Sequence, residues 1–139
     1  MGGRASTRRG PVAKVSMCLL VVVAALGFLT DVAAADNAGL SGSTNSTSSF
    51  TTGWTQRIQS HNGDDISFDQ DTGHDLVIRW AKCSDPNNVH GASIHQSWSW
   101  GYLNIGTNFS GGTCFVFQYR GYNSTGGFSG HVSWNANFA

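Results

Sequence analysis

The chain contains no glutamate: all eight of its acidic residues are aspartates. A glycosidase built on paired carboxylates would have to work with aspartates alone, and past residue 35 all but two of them lie between Asp64 and Asp75. Cations are as sparse. Beyond residue 35 the chain keeps Arg57, Arg79, Lys82 and Arg120 against seven aspartates, four positive charges against seven negative and hence a formal charge of −3. No basic stripe is available to neutralise phosphates, which sets aside nucleic acid and anionic membrane surfaces as partners.

Regular helix signals are missing too. No segment carries apolar residues at i, i+3, i+4 and i+7, no internal repeat is visible, and no GxSxG elbow or other framed nucleophile occurs. No apolar run reaches the roughly 20 residues of a spanning helix. The longest, Met17 to Leu29, follows Arg4, Arg8, Arg9 and Lys14 and precedes the small residues Val32 to Ala35, the layout of a secretory signal peptide. The reading is therefore a leader over 1–35, cleavage near Ala35, and a secreted, extracellular protein with no membrane span in its mature form.

Cys18 lies inside the leader, so Cys83 and Cys114 are left, and in an oxidising compartment they are expected to form a disulfide. Asp36 to Thr52, DNAGLSGSTNSTSSFTT, has few apolar residues and reads as a flexible arm spanning 36–52, with the folded domain occupying 53–139 and starting near Trp54.

Within that domain the pattern is alternation. In LVIRWAK, Leu76, Ile78 and Trp80 share a face; in IHQSWSWGYL, Ile94, Trp98, Trp100 and Tyr102 do. TCFVFQY and FSGHVSW, both aromatic and β-branched, flank the turn-rich RGYNSTGG. A shorter strand near Trp54 to Gln59 brings the expectation to about five strands. The fold class is all-β: an antiparallel β-sandwich or small open barrel stapled by one disulfide.

Aromatic rings are what the chain does have, five tryptophans among them. Flat rings stack on the apolar faces of sugars while neighbouring amides and carboxylates bind hydroxyls, so the leading expectation is a non-catalytic module for polysaccharide or cell-surface glycan. Tyr122, in a glycine-rich loop, and Trp134 are the first candidates for the ligand face. Trp98 and Trp100 join them, although their alternation with Tyr102 also suits a core. Asp69, Asp71 and Asp75, with Gly73 between them, resemble the oxygen ligands and tight turn of a calcium loop, but Gly73 and His74 stand where an EF-hand has a ligand and its glycine, and no glutamate follows. A solvated hairpin loop is the simpler account, and no cofactor is required. Two alternatives belong to other classes. A toxin or protease inhibitor would act through a rigid loop such as Ser84 to Ser93, anchored at Cys83; a small hydrolase would use His74 or His131 with an aspartate. Asn45, Asn108 and Asn123 each open an N-x-S/T sequon.

Overall fold

The computed structural model describes residues 35–136. The leader read from the first 35 residues falls, but for Ala35, outside them. Eight strands follow in order: β1 Asp36–Thr44, β2 Thr51–Ile58, β3 Asp64–Gly73, β4 Leu76–Lys82, β5 Ile94–Gln96, β6 Leu103–Phe109, β7 Cys114–Gly121 and β8 Gly126–Ala136. They form two four-stranded antiparallel sheets, ordered β1-β8-β3-β6 and β2-β7-β4-β5, packed as a sandwich. The fold class is as expected, with eight strands in place of about five.

The core is the inner faces of both sheets. Ile66, Phe68, Leu76, Ile78, Phe115, Phe117 and Val132 are fully buried, and Leu40, Ile105, Phe109, Tyr119 and Phe128 nearly so. Phe115 and Phe117 meet edge to face with centroids 5.6 Å apart, as do Tyr119 and Phe128 at 4.8 Å, the arrangement that the ring quadrupoles favour.

The segment expected to be a flexible arm is a correction: Asp36–Thr44 is strand β1, paired residue for residue with β8 from Asp36↔Trp134 to Thr44↔Gly126. Its scarcity of apolar side chains misled, because its ordering rests on a full hydrogen-bonded ladder and on close approach. Leu40 and Thr44 are buried, and a Cβ on Gly42 would lie 2.6 Å from the Tyr119 hydroxyl, so a small residue lets the sheets meet. The folded domain thus begins near Asp36, not Trp54.

A second correction concerns IHQSWSWGYL. It is not one strand but β5, a turn and the start of β6, crossing from one sheet to the other. Trp98, Trp100 and Tyr102, alternating like core residues, are each more than half exposed. Gln96, fully buried, sets this course: its Nε2 donates to Ser97 O at 3.2 Å and to Gly101 O at 2.9 Å, closing the turn that projects the rings. The acidic segment is likewise a strand for most of its length, β3, which lies between β8 and β6.

Cys83 and Cys114 form the expected disulfide. They sit beside each other because β4 and β7 are neighbours, with Lys82 opposite Phe115, while β6 belongs to the other sheet.

Candidate functional site

Strand pairing brings three small polar residues into one row on the outer face of the first sheet. Ser67 on β3 lies opposite Ser133 on β8 and opposite Asn104 on β6. Their neighbours along the strands, Phe68, Val132 and Ile105, point into the core, so the alternation of strand side chains turns this row outward. Together with Tyr102 it lines a cavity of about 340 Å³.

Ser67 and Ser133 are 4% and 6% exposed as whole residues, while the buried side-chain oxygens that lack a partner among the described residues are Gln70 Oε1 and Gln96 Oε1. Both serines line the cavity. Tyr102, 53% exposed, contributes its ring to the same lining. Asp69 continues the outward face of β3 one pleat beyond Ser67, opposite His131 of β8. The His131 Nδ1 is 2.8 Å from Asp71 Oδ2.

A second cluster sits where β5 and the β7–β8 turn meet. The His95 ring is stacked on Tyr122, meets the edge of Trp100 at 4.7 Å, and holds Asp75 Oδ2 at 3.2 Å through Nε2. The Tyr122 backbone N–H donates to Asp75 O. Tyr122 therefore has ring neighbours in its loop, though it keeps 42% of its surface exposed.

The remaining ligand-face candidate, Trp134, is turned inward. It packs against the core, with the Arg57 guanidinium 5.4 Å from its ring centroid, and does not share a face with Tyr122. Arg57 is itself a buried cation, 8% exposed, lying also over Phe117 and donating to Thr55 O; burial lowers its pKa. Its partners are ring faces and carbonyls instead of a carboxylate.

The calcium candidates Asp69, Asp71 and Asp75 lie along β3 and in the turn that follows it. Asp71 is engaged by His131 and Asp75 by His95, and no group of three or more metal-ligating side chains occurs among the described residues. As for the hydrolytic candidates, His74 Nε2 lies 2.7 Å from Thr44 Oγ1, a contact between β1 and the β3–β4 turn. His131 has a carboxylate on Nδ1, as a general base would, but no serine hydroxyl is bonded to it, and nearby Ser129 is bonded instead to Thr72. The three sequon asparagines are all exposed. No helix among the described residues is long and apolar enough to cross a membrane.

Sequence reasoning missed Ser67, Asn104, Ser133 and Tyr102 as a group. Only the register across three strands unites them, and register is not written in any one segment. The chain matches no family model, no curated protein and no solved structure, so the residues and their geometry alone carry its function.

Proposed function

We propose that this domain is a non-catalytic, extracellular binding module that holds a polysaccharide or cell-surface glycan on the outer face of the β1-β8-β3-β6 sheet. One observation carries the reading: Ser67, Asn104 and Ser133 line a cavity of about 340 Å³ together with the exposed ring of Tyr102. A pyranose presents an apolar face for the ring and equatorial hydroxyls for Ser67, Ser133 and the Asn104 amide, which can donate and accept. A cavity of this volume lies at the small end of the range for specific ligands and suits one or two sugar units of a longer chain.

The test is retention of the purified protein on insoluble polysaccharides and cell walls, with soluble oligosaccharides titrated against intrinsic tryptophan fluorescence. Binding that falls about tenfold in Tyr102→Ala, equivalent to roughly 1.4 kcal/mol, supports the reading. Clean flow-through on every matrix refutes it.

A second reading draws on the Ser97–Tyr102 turn. Gln96 closes it with two hydrogen bonds while Trp98 and Trp100 stay more than half exposed, which is how a secreted toxin would present a docking loop. Leakage of dye from lipid vesicles, lost in the Trp98→Ala, Trp100→Ala double variant, would favour it over the glycan.

A further inference from the structure

We infer that the groove selects a glycan bearing a free amino group, an inference that rests on the carbohydrate reading above. Charge in this fold is sorted largely by sheet, with Asp75 and Asp85 as the exceptions in the segments that flank β4. Asp36 on β1 and Asp64, Asp65, Asp69 and Asp71 on β3 belong to the first sheet. All four cations among the described residues, Arg57, Arg79, Lys82 and Arg120, belong to β2, β4 and β7 of the second. The groove sheet thus carries carboxylates and not one lysine or arginine.

Asp69 is the carboxylate that matters. It is half-buried, on the same outward face as Ser67 and about 7 Å farther along β3, one full pleat repeat. Its side chain has neither an ion pair nor a hydrogen bond among the described residues; the group facing it, His131, is taken up by Asp71. A carboxylate without an ion pair, one pleat repeat from the cavity-lining Ser67 and Ser133, is an acceptor at the edge of the cavity that a ligand's donor can meet.

A sugar ammonium supplies that donor. It brings three N–H donors and a positive charge, and on a pyranose it sits one carbon from a ring hydroxyl, so Asp69 and the Ser67–Ser133 row can be satisfied by the same residue of the chain. An acetylated amine offers a single neutral N–H in that place. A uronate or sulfated sugar would lay its charge against the carboxylate sheet with no cation on that sheet to meet it. The order of preference is amine, then acetamide, then acid.

The experiment compares glucosamine, N-acetylglucosamine and galacturonate oligosaccharides of equal length, titrated into the purified protein at low ionic strength, in the natural chain and in Asp69→Asn and Ser67→Ala. Expected is a preference for the free amine over the acetamide of roughly fivefold or more, since charge-assisted hydrogen bonds are about twice as strong as neutral ones. Asp69→Asn should bring the two affinities together by lowering that for the amine. Ser67→Ala, which removes a groove hydroxyl and no charge, should weaken both oligomers alike and keep the preference. If the acetylated oligomer binds as well as the amine, or if the preference survives Asp69→Asn, the inference is overturned while the carbohydrate reading stands. If no sugar of any kind binds, both fall.

Discussion

His95 and Tyr122 lie face to face, ring centroids 3.7 Å apart and planes 15° from parallel, although one comes from the short strand β5 and the other from the turn between β7 and β8. The stack ties a sheet-edge strand to a loop, and Trp100 closes it from the side. Removing the Tyr122 ring should cost about 1 kcal/mol, the usual worth of an aromatic pair beyond its buried area. It should also alter the fluorescence of Trp100 through the loosened imidazole. Because this cluster is separate from the Tyr102 groove, Tyr122→Ala should leave sugar retention intact. Chemical denaturation and retention on the same matrices check both halves.

Gln59 holds one end of the sandwich closed. Fully buried, it donates to Asp65 O on β3 and accepts from the Asn135 N–H on β8, while the Asn135 side chain in turn accepts from Ser60 N–H. Gln59→Leu strands a buried donor and a buried acceptor together, at about 1 to 3 kcal/mol for each. A fall in unfolding free energy of about 3 kcal/mol, with the slope against denaturant unchanged, is the expected result.

The Cys83–Cys114 bridge closes a loop across a sequence separation of 31 residues. In the chain-entropy account a loop of that size restricts the unfolded state by about 3 to 4 kcal/mol, a large fraction of what a domain this small possesses. The double variant Cys83→Ser, Cys114→Ser should unfold at a markedly lower denaturant concentration than the oxidised protein, and reductant should shift the natural chain to the same midpoint without affecting the variant.

Burial raises the phenol of Tyr119 above its ordinary value of 10.0. The folded state therefore keeps the neutral ring when the unfolded chain would already ionise. The stability this contributes is fully present below pH 10.0 and is lost as pH rises through the higher folded value. Tyr119→Phe, which cannot ionise, should match the natural chain near neutrality and outlast it in alkali. Denaturation midpoints measured on both sides of pH 10.0 decide it.

How much of this was legible in the chain depends on the range of the interactions. The strands around Leu76, Phe117 and Val132 announced themselves because their alternation or apolar character is local, and the disulfide because only Cys83 and Cys114 remain past residue 35 to pair. Strand β1 was hidden, since the same glycines and serines that mark a flexible arm also let Tyr119 approach Gly42. Trp98, Trp100 and Tyr102 obey the period of a buried strand, yet Gln96 bends their backbone out of the sheet through bonds to Ser97 and Gly101 that no periodicity encodes. The groove was invisible for a third reason. Ser67, Asn104 and Ser133 lie far apart along the chain, and only the two registers meeting at β3 set them side by side.

The sorting of charge by sheet gives the molecule an electric moment across its thickness. Close to an anionic wall, within the screening distance of about 8 Å at physiological salt, torque would turn the Arg79 and Arg120 side toward the surface and the aspartate side away from it. The formal charge of −3 past residue 35 opposes adsorption, so the moment would set how the molecule is turned on approach, its groove toward the solvent, without holding it to the wall.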